Sequence, residues 1–236
     1  MDFTNISFWS SLLSIIVINL VLSGDNAVVI ALATLNLNEK DKKKGIFWGT
    51  FGAVALRIIL TAVAAVLLKV PFVQAVGGML LTWIAVKLLK DQGGEEHHLE
   101  ASGNLLGAIK VIIFADLLMS LDNVLAVAGA AGGNIPLLIF GLCLSIPIVI
   151  FGSTLLSSLM DRWPWLVSIG AGLLGYTAGE MVLNDTSFKF LHNYHVLEYV
   201  IPFGLAILVV IIGNLAKSAA KKKVLQETDH VKEGAK

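Results

Sequence analysis

Apolar residues along this chain gather into seven long stretches, at about 8–35, 45–68, 72–90, 105–131, 135–159, 164–183 and 196–217. An α-helix needs about 20 apolar residues to cross the hydrocarbon core of a bilayer. The pattern therefore predicts an all-α, polytopic membrane protein with seven transmembrane helices. The first and fourth stretches are too long for a straight crossing, and each is interrupted near its middle by one polar string. These strings are Ser23-Gly24-Asp25-Asn26 and Ser120-Leu121-Asp122-Asn123. A span that tilts or breaks is expected at each. Gly24 gives the backbone the freedom for an unwound turn. Leu121, in the corresponding place, does not.

Composition agrees with this class: 56% of the 236 residues are hydrophobic and 14% charged, unlike a soluble domain. Lys plus Arg balance Asp plus Glu, so net charge suggests no nucleic-acid partner. The single cysteine, Cys143, permits neither an internal disulfide nor a thiolate metal cluster, and reads as a small buried apolar residue in a span. Met1 to Ser10 lacks the basic segment and small-residue cleavage site of a removable signal peptide, so the first stretch is expected to be retained.

Basic residues set the orientation. Lys40, Lys42, Lys43 and Lys44 follow the first span; Lys87, Lys90 and Lys110 flank the third connection; Arg162 follows the fifth; and Lys217, Lys221, Lys222, Lys223, Lys232 and Lys236 lie at the C-terminus. The alternate connections hold only Lys69 and Lys189. The expectation is a multi-pass protein of the cell membrane with its N-terminus outside and its C-terminus cytoplasmic. Residues 92–104 are polar and Gly-rich and read as a cytoplasmic linker. Residues 218–236 read as a basic cytoplasmic tail, expected to fray beyond a first turn that prolongs the seventh helix.

The two halves align. Placing Asp25 on Asp122 puts Asn19 on Asp116, Ser23 on Ser120 and Asn26 on Asn123. Further along, with small gaps, Gly77 meets Gly170, Trp83 meets Tyr176 and Lys87 meets Glu180. Three spans per repeat send the second half into the bilayer from the opposite side. The organisation expected is repeat one at 5–91, repeat two at 105–185 and a seventh helix at 192–217. Inverted repeats with interrupted helices and a midplane site are a recurring plan of secondary transporters.

The polar residues of these strings carry the candidate chemistry. Asn19, Ser23 and Asn26 follow helical spacing on one face, and Asp116, Ser120 and Asn123 repeat it. An acid at the centre of a membrane helix costs roughly 2.5–3.5 kcal/mol on insertion scales, so intramembrane acids are functional candidates by default. Carboxylate and amide oxygens with no nearby Cys or His suit Mg²⁺, Ca²⁺ or Mn²⁺ and disfavour Zn²⁺ or copper. Within the spans, Asp25, Asp116, Asp122 and Glu180 face Arg57 and Lys87, leaving two negative charges that a divalent cation would neutralise. The metal-ligand candidates are Asp25, Asp122, Asp116, Asn26, Asn123 and Asn19. Ser23, Ser120, Arg57, Glu180 and Lys87 are supporting or gating candidates, with Arg57 expected to hold an acid in place. The competing reading of Asn19, Ser23 and Ser120 is hydrogen-bonded packing between helices. Glu95, Glu96, His97 and His98 form a potential metal cluster, but their Gly-flanked polar setting favours a solvated linker. Aromatic residues near span ends, including Trp83 and Tyr176, read as headgroup anchors.

The strings Asn-Leu-Val-Leu-Ser-Gly-Asp-Asn-Ala-Val-Val-Ile-Ala at 19–31 and Asp-Leu-Leu-Met-Ser-Leu-Asp-Asn-Val-Leu-Ala-Val-Ala at 116–128 resemble the TerC family of integral membrane proteins. The likeness covers nearly the whole chain and is closest to the short bacterial branch, similar in turn to LysE-type exporters. It implies a seven-span inverted-repeat fold and export of a divalent metal, chiefly Mn²⁺, with intramembrane acids at Asp25, Asp116 and Asp122. The metal is cargo, and no cofactor is implied. The family name refers to tellurium resistance, yet an oxygen-ligand cation site gives no reason to handle the anion tellurite.

Export of a divalent ion against an inside-negative potential costs about 2.3 kcal/mol per charge per 100 mV. No P-loop is present to bind and hydrolyse ATP, which leaves proton antiport as the expected coupling, with Asp25 and Asp122 of the paired Asp-Asn strings alternately binding metal and protons. Two rivals remain. An intramembrane aspartyl protease would carry Gly-x-Gly-Asp, where this chain has Leu22 in the first position, so the chain is not expected to be an enzyme. A non-transporting partner in secretion or membrane-protein maturation is the other.

Overall fold

The computed structural model describes residues 6–22, 24–67, 70–92, 104–131 and 134–234. Within these ranges the side chains of some helical residues, Asp122 among them, lie outside the description, as do Ser23 and the Glu95–His98 cluster. The described chain is helical: α1 (Ile6–Leu22), α2 (Gly24–Thr34), α3 (Glu39–Leu67), α4 (Val73–Asp91), α5 (Leu105–Ala130), α6 (Ile135–Arg162), α7 (Trp165–Asn184), a 3-10 helix (Thr186–Asn193) and α8 (His195–Gly234). Among the described residues, α3, α4, α6, α7 and α8 are long and apolar enough to cross a membrane, and α1 with α2 makes a sixth, bent by 47°. The remaining long helix, α5, is outside that set, so the described residues give five to six spans rather than seven.

Local chemistry sets the helix ends. Asn38 accepts the N–H of Asp41 at 2.9 Å and donates to its carboxylate, which starts α3 six residues before the apolar stretch. Asn104 and Asn134 cap α5 and α6 by accepting from Leu106 and Leu137. The first long stretch does break where Gly24 stands, whereas α5 is continuous through Leu121. Helix α8 runs past Lys217 to Gly234 through the charged segment, whose Ala, Lys, Gln and Glu are strong helix formers.

Packing pairs the halves. Helix α3 lies on α5, α1 and α2 lie on α6, α4 lies on α7, and α8 covers α7 and α4. Leu32, Leu81, Leu89, Ala115, Leu174 and Val209 join α2, α4, α5, α7 and α8 in the main core. Close approach of α7 and α8 depends on Gly175 and Gly179, where a Cβ would collide with the backbone at Leu205 and Pro202. Large apolar side chains such as Phe151, Trp165, Tyr199, Phe203 and Leu215 are left on the outer surface, as a lipid-facing bundle requires, and Cys143, expected to be buried, is exposed there on α6 as well.

Each end of the bundle has a polar tie. At one, Lys42 meets Asp161 at 2.7 Å and the Asn36 amide donates to the Asp91 carbonyl at 3.0 Å. At the other, Asp185 accepts from the backbone N–H groups of Phe72 (3.0 Å), Ala75 (3.1 Å) and Ser187 (2.8 Å). Asp185 thus caps α4 from across the fold and holds Phe72 at φ 65°, in the left-handed region unusual for a non-glycine residue. Burial opposes ionisation of Asp185, but these N–H donors and the Ser187 hydroxyl outweigh it, and its carboxyl titrates below the usual range.

Candidate functional site

Two polar centres occupy the middle of the bundle. In the first, the Arg57 guanidinium of α3 donates to Asn19 Oδ1 on α1 at 2.6 Å, to Ser120 Oγ on α5 at 2.9 Å and to Asp116 Oδ1 on α5 at 2.5 Å. Ser120 in turn donates to Asp116 Oδ2 at 3.1 Å, and the Asn19 amide donates to Ser145 Oγ on α6 at 2.6 Å. All five side chains are buried. One turn of helix separates Asp116 from Ser120, so both can close on the same guanidinium. The result ties α1, α3, α5 and α6 together around one buried ion pair. Arg57 holds an acid in place, and that acid is Asp116.

The second centre is a cavity of about 620 Å³ between the start of α2, the second half of α5 and the second half of α7. Its polar lining is Asp25, Asn123, Tyr176, Thr177, Glu180 and Asn184, with the sulfur-bearing Met119 and Met181 beside them. The break after α1 puts Asp25 in the first turn of α2, where its carboxylate accepts the Asn26 N–H at 2.9 Å. Thr177 donates to the other carboxylate oxygen at 3.4 Å. Tyr176 pairs with Glu180, and its ring also meets Phe203 edge-on. Arg57 and Asp116 lie within electrostatic reach of Asp25, so the two centres are neighbours.

Asn26, next to Asp25, is 4% exposed, and among the described residues neither its amide nitrogen nor its oxygen has a hydrogen-bond partner. A buried amide left unpaired costs about 1–3 kcal/mol and calls for a water, an ion or a second conformation to use it. Among the described residues, no three His, Cys, Asp or Glu side chains converge to hold a metal. The acids in the described lining of the Asp25 cavity are Asp25 and Glu180, with neutral amide and hydroxyl oxygens beside them.

The structure thus sorts the sequence candidates. Asp25, Asn123 and Glu180 share the cavity; Asn19, Asp116, Ser120 and Arg57 form the brace beside it. Lys87 lines a different cavity, its ammonium 5.3 Å from the centre of the Trp83 ring. Asp122 lies on α5, but its side chain, with Ser23, is outside the described residues. Sequence reasoning missed Thr177 and Asn184 and gave Tyr176 only a headgroup role. Their signal was legible: Tyr176, Thr177, Glu180 and Asn184 keep the spacing of one helix face. Ser145 offered no such cue, because it falls in a long aliphatic run.

The geometry can be set beside known proteins. A family model described as the integral membrane protein TerC family matches residues 4–222. The chain belongs to that family. It is 42% identical over 213 residues to the uncharacterized membrane protein YjbE of Bacillus subtilis, covering 90% of this chain and 97% of the relative. It is also 26% identical to YceF of the same organism, over 95% of this chain and 88% of that one. A tellurium resistance protein TerC from Alcaligenes sp is 31% identical over 83 residues, 34% of this chain and 24% of its own length. No solved structure matches.

Proposed function

We propose that this TerC-family protein exports a divalent cation, Mn²⁺ in the first place, across the cytoplasmic membrane in exchange for protons. The observation that carries this reading is the convergence of Asp25, Glu180 and Asn123 on one cavity among the spanning helices. An all-oxygen set of two acids with amides and hydroxyls suits a hard or borderline divalent ion. Asn26, beside Asp25, supplies an amide with no partner among the described residues. When the ion leaves, two carboxylates in one cavity hold a proton readily, which couples metal to proton movement.

The finer fold belongs to the same proposal. Seven spans, with α1 and α2 counted as one and α5 included, form two antiparallel repeats. The packing supports this: exchanging the repeats turns the α3–α5 contact into the α6 contact with α1 and α2, and the α4–α5 contact into α7–α2, and all of these are present. The N-terminus is placed outside. In support, Lys42, Lys90, Lys110 and Arg162 belong to helix ends that this arrangement puts on one side, the side tied by Lys42–Asp161 and Asn36–Asp91.

Purified protein in proteoliposomes tests the reading. Mn²⁺ flux driven by a pH gradient is expected for the wild type and for Asp116→Asn if that variant remains folded, and is expected to be lost in Asp25→Asn. Flux that is absent from the wild type, or that survives Asp25→Asn, overturns it and favours a non-transporting role in secretion or membrane-protein maturation.

A further inference from the structure

The smaller cavity, about 230 Å³ between α2, α4 and α5, repeats one wall of the Asp25 cavity residue for residue. Its α4 wall is Trp83, Ile84, Lys87, Leu88 and Asp91. The register that puts Trp83 on Tyr176 and Lys87 on Glu180 carries all five to Tyr176, Thr177, Glu180, Met181 and Asn184, and every one of these lines the larger cavity. The remaining walls exchange as helices: α2 and α5 complete both cavities, from opposite ends. Both cavities also border the same core, since Ile84 and Leu88 of one and Met119 and Met181 of the other belong to a single cluster of buried aliphatic side chains.

The two walls differ in charge: the α7 wall carries Glu180, whereas the α4 wall carries Lys87 and, one turn on, Asp91. Where the larger cavity has the Glu180 carboxylate, the smaller has the Lys87 ammonium, lying over Trp83. At the edge of the smaller cavity the Asn36 amide closes on the Asp91 carbonyl.

Resting on the transport reading, we propose that the smaller cavity is the closed cytoplasmic half of the ion's route, and that Lys87, by offsetting the Asp91 carboxylate, makes loading from that side weaker than at the Glu180 wall. Inverted repeats exchange conformations as the site opens alternately to each side, so the wall open at one face has a closed mate at the other. A cation entering from the cytoplasm passes Asp91 and then Lys87, whose charges offset, whereas one leaving outward passes Glu180. Export then engages only when the internal concentration is high.

Thiol labelling tests the assignment on the full chain with Cys143→Ser as background. The mates Ile84→Cys and Thr177→Cys report the two walls, and Ala108→Cys, a one-atom addition, reports the smaller cavity with less disturbance. Membrane-impermeant cationic and anionic thiosulfonates are applied to vesicles of each orientation, with and without Mn²⁺. Thr177→Cys is expected to react from outside and to prefer the cationic reagent. Ile84→Cys and Ala108→Cys are expected to react from the cytoplasmic side and to prefer the anionic reagent by about tenfold relative to Thr177→Cys, as unit charges a few ångströms apart in water dictate. Lys87→Gln removes that preference, and Mn²⁺ moves the two walls' rates in opposite directions. Failure of Ile84→Cys and Ala108→Cys to react from the cytoplasmic side at any Mn²⁺ concentration or pH overturns the proposal, as does a parallel response of both walls. If Mn²⁺ still binds the wild type and not Asp25→Asn, such a failure removes only this route. Absence of Mn²⁺ binding removes the transport reading and the route with it.

Discussion

Replacing Arg57 by Met isolates the part of the fold that holds the site in position. Methionine keeps much of the length and volume but offers no donor. Three hydrogen bonds at 2.5–2.9 Å are lost, and the Asp116 carboxylate keeps the Ser120 hydroxyl at 3.1 Å as its described partner. Removing one member of a buried ion pair costs about 3–5 kcal/mol, because the other charge stays buried without compensation. Each kcal/mol shifts Tm by about 2–4 °C in a chain of this size, so Arg57→Met is expected to melt about 10 °C below the wild type in detergent. Adding Asp116→Leu removes the stranded charge and is expected to restore much of the loss. Recovery stays incomplete, because the hydrogen bond from the guanidinium to Asn19 is still lost, at about 1.5–3 kcal/mol for a charged donor. A single variant that melts within about 2 °C of the wild type would refute this account of the brace. So would a double variant that melts lower than the single one.

Two further predictions concern the helix contacts and the outer tie. Gly179→Ala pushes a methyl into the Pro202 backbone and is expected to destabilise by about 1–3 kcal/mol in thermal unfolding, whereas Gly204→Ala, with open space around it, is expected to be near neutral. Asp185→Asn weakens the cap on α4 by about 0.5–2 kcal/mol near neutral pH. Because the folded pKa of Asp185 lies below its unfolded value, that contribution is complete above about pH 4 and is lost as pH falls through the folded pKa. The stability gap between wild type and Asp185→Asn, measured by unfolding across pH, should therefore close in acid; a gap independent of pH would contradict the assignment.

The span pattern was legible because lipid leaves a helix few alternatives, and α4, α6 and α7 begin and end within about three residues of the apolar stretches. The sequence predicts a tilt or break at both strings; the break at the first falls between Leu22 and Gly24, beside the glycine, whereas α5 runs unbroken through Leu121. Membership of the brace was legible only in part. Helical spacing put Asp116, Ser120 and Asn123 on related positions, yet two of them face Arg57 and the third lines the cavity. Which acid finds the guanidinium depends on how α3 crosses α5, and periodicity along either helix does not contain that crossing. Arg57 itself, buried in an apolar stretch, announced that one acid had to be neutralised. Thr177 and Asn184 went unnoticed because an uncharged polar residue in a span draws little attention until a neighbouring acid points the same way.

The central claim is that a doubly charged ion rests against Asp25 inside the cavity shared with Glu180 and Asn123. Anomalous scattering at the manganese edge from protein crystallised with Mn²⁺ tests it most directly. The account predicts one strong peak in that cavity within bonding distance of the Asp25 carboxylate, absent from Asp25→Asn. A peak confined to the Glu95–His98 segment, or a cavity without metal at saturating Mn²⁺, would contradict it.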